Sequence, residues 1–203
     1  NMKIAINESI PAIDGLLIGV DEAGMGPLAG NVVATAVLLD PDKRIEGLDD
    51  SKKLTAKRRD ALYDVIMQDS LACAVVSVSA QQIDEMNILQ ASLYAMRTAA
   101  EQLDPRPGHV FVDGNKTLPD CFCDTTAIIK GDSRVAEISA ASILAKVERD
   151  RQMIALHEQY PQYGFDGHKG YPTKAHFAAL AEYGPCPEHR RSFGPVRRLL
   201  ELV

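Results

Sequence analysis

The chain has few cysteines, no long apolar run and no internal repeat, and each shortage removes a class of protein. No stretch approaches the roughly 18 apolar residues of a membrane span, and no basic-then-apolar leader opens the sequence, so a cytoplasmic location is expected. Cys73, Cys121, Cys123 and Cys186 are unevenly placed, with no CxxC pair and no paired histidines. That pattern supports neither a zinc site nor a disulfide framework, and reduced structural thiols are expected. Low-complexity tracts and flexible linkers are also missing. At 203 residues and 46% hydrophobic side chains, the chain is long enough to bury a full core, and one domain spanning 1–203 is expected. A net charge of -6 argues against indiscriminate nucleic-acid binding, although an acidic metal site would contribute several of those charges itself.

Organisation centres on Gly19 to Gly30, where an apolar segment runs through Asp21 and Glu22 into a glycine-rich turn. Gly15 to Val20 is a short apolar run bounded by glycines, as in a strand buried on both faces. A carboxylate at the end of such a strand stays hydrated and can meet carboxylates from neighbouring strand ends. Adjacent strand residues point to opposite faces, so Asp21 and Glu22 share a site only if the strand bends or ends there. Gly24 and Gly26 make the bend plausible and let the backbone approach a ligand. By itself, an Asp-Glu pair before glycines also reads as a solvated turn.

Two further strand ends carry an acid. His109 to Val112 is a brief apolar run before Asp113, and Ala127 to Lys130 is another before Gly131-Asp132-Ser133. Between the glycine turn and His109 lie a strand over 31–39, a helix capped by Thr55, a strand over 71–78, a capping box opening at Ser79, and a helix starting at Asn87 with Leu89, Leu93, Met96, Ala100 and Leu103 as its core stripe. A long helix follows Asp132, with Ala136, Ala140, Ile143, Val147 and Ile154 on one face. Asp150 shares that face, but the helical rise puts it roughly 27 Å from Asp132, so both cannot serve one metal pair and Asp150 is expected to pair with a neighbouring Lys or Arg. Lys52 and Lys53 sit in a loop, where a solvated surface and a phosphate contact are both open readings. Residues 160–194 are rich in Gly, Pro, His, Lys, Arg and Tyr, a composition that suits a nucleic-acid backbone as well as an ordinary surface loop. Short closing helices are expected over 173–183 and 195–202.

Asp21, Glu22, Asp113 and Asp132, with no cysteine or evident histidine beside them, would form a hard oxygen site suited to Mg²⁺ or Mn²⁺. Two such ions about 4 Å apart can activate water on one side of a phosphodiester and stabilise the leaving oxygen on the other. A metal-dependent nuclease is the expectation.

Across almost its whole length the chain resembles bacterial ribonuclease HII, through Gly19 to Gly30, Asp50 to Leu54, Val112 to Asn115, Lys130 to Ser133 with Ile138 to Asp150, Tyr163 to Thr173 and His189 to Val196. The resemblance implies an α/β, ribonuclease H-like fold: a mixed five-stranded sheet flanked by helices, with residues 160–203 as a C-terminal helical and loop extension that binds substrate. It implies that Asp21, Glu22, Asp113 and Asp132 are catalytic metal ligands for a two-metal Mn²⁺ or Mg²⁺ site. It implies cleavage of the RNA strand of RNA/DNA hybrids and nicking on the 5′ side of single ribonucleotides embedded in duplex DNA, leaving 3′-hydroxyl and 5′-phosphate ends. Gly24, Gly26 and Tyr171 match the family's junction-reading turn and tyrosine, and Lys52 and Lys169 match loop lysines along the phosphates. Met25 departs from the pattern, since the family has arginine there and methionine offers no donors. The sequence does not reveal protein partners, and nothing in it demands a dimer, so a monomer is expected.

Two competing readings follow. A nucleotide-binding protein would use the Gly24–Gly30 turn, but no Gly-Lys-Ser/Thr ending is present. A hybrid-binding protein with weakened catalysis would follow from Met25. Metal-dependent cleavage separates both from a nuclease.

Overall fold

The computed structural model describes residues 3–5 and 7–202, so residues 1, 2, 6 and 203 of the expected 1–203 span lie outside the described residues. The strands are β1 (Lys3–Ile4), β2 (Leu17–Ala23), β3 (Val32–Leu38), β4 (Ala72–Val78), β5 (His109–Asp113) and β6 (Asp124–Ile128), in the spatial order β1-β6-β5-β2-β3-β4. β1, β6, β5 and β2 run parallel, and β2, β3 and β4 form an antiparallel meander. The five longer strands are the mixed sheet that the resemblance implies, and β1 adds a two-residue edge.

The helices are α1 (Ala56–Asp69), α2 (Ala80–Met86), α3 (Ile88–Glu101), α4 (Ala136–Gln159), α5 (Phe165–His168), α6 (Lys174–Tyr183) and α7 (Gly194–Glu201). Local chemistry sets their starts. The Thr55 hydroxyl accepts from the Arg58 amide, Ser79 and Gln82 exchange bonds in a full capping box, and Thr173 caps α6. None of the helices among the described residues is long and apolar enough to cross a membrane.

Alternation along the strands divides the core into two faces. Ile18, Val20, Val110 and Val112 pack with Ala91, Ala95 and Ala99 of α3. On the other face Val37 packs with Leu62 and Ile66 of α1 and with Ile143 and Leu144 of α4. Full burial of a side chain such as Ile143 is worth about 1.5–3 kcal/mol. α4 lies so close to β2 that a Cβ on Gly19 would stand 2.3 Å from the Glu137 carbonyl carbon, which only glycine permits. This contact seats the start of α4 over the middle of β2.

Several expected bounds move. Leu89 is 39% exposed and Ile154 is 47% exposed, because the covered stripe of α3 begins at Ala91 and that of α4 ends at Met153. β6 starts earlier than expected, at Asp124, and stops at Ile128, after which Lys130 turns left-handed (φ 54°) into a 3₁₀ turn over Gly131–Ser133. β2 does not end at Val20, since it stays paired to β3 through Ala23.

Candidate active site

β2 is flanked unequally. Its pairing with β5 stops at Val20–Val112, whereas its pairing with β3 continues three residues further, through Asp21–Thr35 and Glu22–Ala34. One step past the Val20–Val112 pair lie Asp21 and Asp113, on adjacent parallel strands whose shared ladder has just ended. The strand therefore does not end at the acid pair. The sheet opens on one side of it instead, and that opening lets Asp21 and Glu22 face one cavity. Asp132 arrives from the 3₁₀ turn after β6, its amide donating to Oδ1 of Asp113 at 3.1 Å. The Glu22 amide donates to Oδ1 of Asp21 at 2.7 Å. All four acids line a single cavity of about 430 Å³.

Burial and mutual repulsion dominate the electrostatics. Asp21, 5% exposed, has its carboxyl pushed well above the ordinary range, first by burial and then by the charges of Glu22 and Asp113. Glu22 is raised to about 7 by burial and Asp113. Asp132 is raised to about 6 by burial, by Asp113 and by Asp50. Asp113 is raised by burial, against the two amides of Asp132 and Gly131 that favour its charge. Lys52 is the cation that acts on Glu22, Asp113 and Asp132 together, and it lines the same cavity.

Gly24, Met25, Gly26 and Tyr171 form the rim of that cavity. Gly24 takes φ +97°, and a Cβ there would lie 2.1 Å from Nε of Arg149. Met25 is half-buried and packs against the α3-side core. The turn is held by two buried arginines. Arg190 donates to the carbonyls of Gly24 (2.6 Å), Met25 (3.1 Å) and Gly30 (3.0 Å). Arg149 donates to those of Asn31 (3.1 Å), Ala29 (3.1 Å) and Lys169 (2.9 Å). The C-terminal chain closes onto the same turn, Leu28 N donating to Gly170 O at 2.8 Å and Arg190 N to Leu28 O at 2.8 Å.

The structure does not bring Lys169 into the acid cavity. Its ammonium donates to the Asp166 carbonyl, and its side chain lines a separate groove with Arg59 and Arg151. The basic C-terminal stretch also differs from a uniform backbone-binding loop, for His189 and Arg190 are 1% and 0% exposed. His189 accepts the Cys186 amide on Nδ1 (3.0 Å), so its Nε2 carries the proton that goes to Nε2 of His176 (2.9 Å), whose Nδ1–H in turn reaches the Tyr171 carbonyl (2.9 Å). These rings are structural supports of the Tyr171 loop. Asp150 pairs with Lys146 at 2.8 Å, and Lys146 reaches the acid cavity. Asp50, Lys146 and Arg149 are the site groups that sequence reasoning missed. For Asp50 the available signal was its place two residues before Lys52.

The donor set tests for a metal. Only oxygen ligands are offered, with no cysteine or histidine lining the cavity, which suits a hard divalent ion. Four acids against Lys52 and Lys146, the latter already paired with Asp150, form an excess of negative potential that such an ion would neutralise. Among the described residues no group of three or more acidic, histidine or cysteine side chains is gathered closely enough to hold an ion by itself. An ion that keeps part of its water shell fits that spread, as Mg²⁺ does.

The fold and site together define a ribonuclease H-like nuclease. The ribonuclease H2 of Pyrococcus horikoshii OT3 matches with a TM-score of 0.76 and 30% identity over 92% of this chain and 97% of that one. Bst-RNase HIII, solved with Mn²⁺, shares the fold at a TM-score of 0.67 and 20% identity, over 92% of this chain and 70% of its own. A profile of ribonuclease HII matches residues 18–196, and the ribonuclease HII of Polynucleobacter asymbioticus is 59% identical over 187 residues, 90% of this chain and 95% of that protein. The chain belongs to the ribonuclease HII family, and it is an endonuclease of ribonuclease H type 2, a hydrolase.

Proposed function

We propose that this enzyme cleaves the RNA strand of RNA/DNA hybrids and nicks duplex DNA on the 5′ side of an embedded ribonucleotide, leaving 3′-hydroxyl and 5′-phosphate ends. The observation that carries the reading is the meeting of Asp21, Glu22, Asp113 and Asp132 in one cavity whose rim is the glycine turn and Tyr171. The four carboxylates would hold two Mn²⁺ or Mg²⁺ ions, which would supply an activated water and stabilise the leaving oxygen.

The protein's own groups do the rest. Lys52 offsets part of the acid charge and faces the approaching phosphate. Gly24 and Gly26 carry no side chain to keep a sugar at a distance, and their backbone approaches the 2′-hydroxyl, the group that separates RNA from DNA. Tyr171, 41% exposed, offers a ring to the same sugar. Lys169, on its separate groove with Arg59 and Arg151, takes phosphates further along the duplex. Residues 160–203 thus serve as the substrate-binding extension of one ribonuclease H-like unit.

A weaker hybrid-binding role is favoured by one observation, the inward packing of Met25 where the family has arginine. Both readings are tested by incubating the protein with an RNA/DNA hybrid, a duplex with one ribonucleotide and an all-DNA duplex, each with Mn²⁺ and with EDTA. Metal-dependent cleavage of the first two alone supports a nuclease. Hybrid affinity without cleavage supports binding.

A further inference from the structure

Arg149 is 2% exposed and spends its guanidinium on backbone carbonyls from two different loops. Nε and one terminal nitrogen hold Asn31 and Ala29 of the glycine turn, and the other terminal nitrogen holds Lys169, two residues before Tyr171. Its guanidinium carbon also lies 5.8 Å from the centroid of the Tyr171 ring, within cation–π range. Gly24 lacks a Cβ where Arg149 passes. One side chain therefore touches the glycine turn, the Tyr171 loop and the Tyr171 ring. Arg190 is equally buried, but its three bonds all go to the glycine turn. His176 fixes the Tyr171 carbonyl and leaves the ring to Arg149. A lysine could not replace this fork, since its single ammonium cannot reach three carbonyls in fixed directions.

We propose that Arg149 is a positioning residue that sets the Tyr171 ring against the Gly24–Gly26 turn, so that the two sides of the sugar-reading rim keep a fixed separation. The proposal rests on the substrate reading above for its consequence, but its geometry is testable without substrate.

The chain contains no tryptophan, so Tyr171→Trp places a single fluorescent reporter at the rim. Adding Arg149→Lys increases acrylamide quenching and lowers the anisotropy of that tryptophan, while adding Arg190→Lys, which loosens the turn alone, changes both less. Equal changes from both arginine variants, or none from a folded Arg149→Lys protein, would overturn the proposal. If Arg149→Lys does not fold, the coupling is read from the other end in Tyr171→Leu, which alters an exposed ring: the Gly24 amide and Arg149 Nε–H resonances shift, and unshifted resonances would overturn it. In turnover, Arg149→Lys loses about tenfold of the preference for a ribonucleotide over a deoxyribonucleotide, the scale of one charged hydrogen bond, mainly through KM. A parent protein that cleaves no ribonucleotide substrate would remove the substrate reading and leave the fluorescence result standing.

Discussion

Asp132 donates its backbone amide to Oδ1 of Asp113 at 3.1 Å, which fastens the 3₁₀ turn after β6 to the end of β5. Two acids that repel each other as side chains are thus joined through the backbone of one and the carboxylate of the other. Asp113→Asn keeps a carbonyl acceptor for that amide and removes the charge. Cleavage is expected to fall by about a hundredfold or more, as for loss of a metal ligand. The metal-free melting temperature holds or rises, because a buried repulsion is gone. Single-turnover cleavage and thermal melts in EDTA check both halves.

The acids also predict how metal and pH interact. Burial lifts Glu22 from 4.5 to about 7 and Asp132 from 3.8 to about 6. The folded state therefore binds protons more tightly than the unfolded chain. The stability these groups contribute is full below their ordinary values and is lost as pH rises through about 6 and 7. A divalent ion held by the deprotonated carboxylates, as proposed, would offset that loss. Mn²⁺ should raise the melting temperature more at pH 8 than at pH 5, and an equal gain at both would contradict the site.

His189 acts with the opposite sign. Burial, then the neighbouring His176, press its ring down from 6.5 to about 4. Its contribution is present above 6.5 and is lost as pH falls through about 4. A shift of that size in a group 1% exposed is worth about 3 kcal/mol. Urea melts between pH 4 and 7 in EDTA should show an acid limb in the parent that is much shallower in His189→Gln.

Much of this arrangement was legible from residue types along the chain. Apolar runs closing in Asp21, Asp113 and Asp132 pointed to strand ends on one sheet, and the described strands put these acids at one cavity. The strand bounds were less legible. The sequence cannot show that β5 leaves β2 at Val20 while β3 stays with it through Ala23, because that depends on which strands become neighbours. Arg149, Arg190 and His189 were illegible for a different reason. Charged and basic residues ordinarily face water, but the two arginines are buried against carbonyls contributed by distant segments, and His189 is buried between the Cys186 amide and the His176 ring, pairings with no local pattern.

Met25 sets a prediction about substrate affinity. Its side chain lines the cavity and packs on the α3-side core, so an arginine could follow the same path with its stem and place its head at the rim. Met25→Arg should tighten binding of a ribonucleotide-containing duplex by about tenfold, the scale of one charged hydrogen bond, with a steeper salt dependence. Fluorescence titrations at two salt concentrations measure it.

The central claim is that the acid cavity hydrolyses a phosphodiester chosen by the sugar beside it. The most direct measurement maps the cut in a duplex carrying a single ribonucleotide, with Mn²⁺, for the parent and Asp113→Asn. One nick on the 5′ side of the ribonucleotide, leaving 3′-hydroxyl and 5′-phosphate ends and lost in the variant, is the predicted result. Cleavage at unrelated positions, or an equal cut by Asp113→Asn, would contradict it.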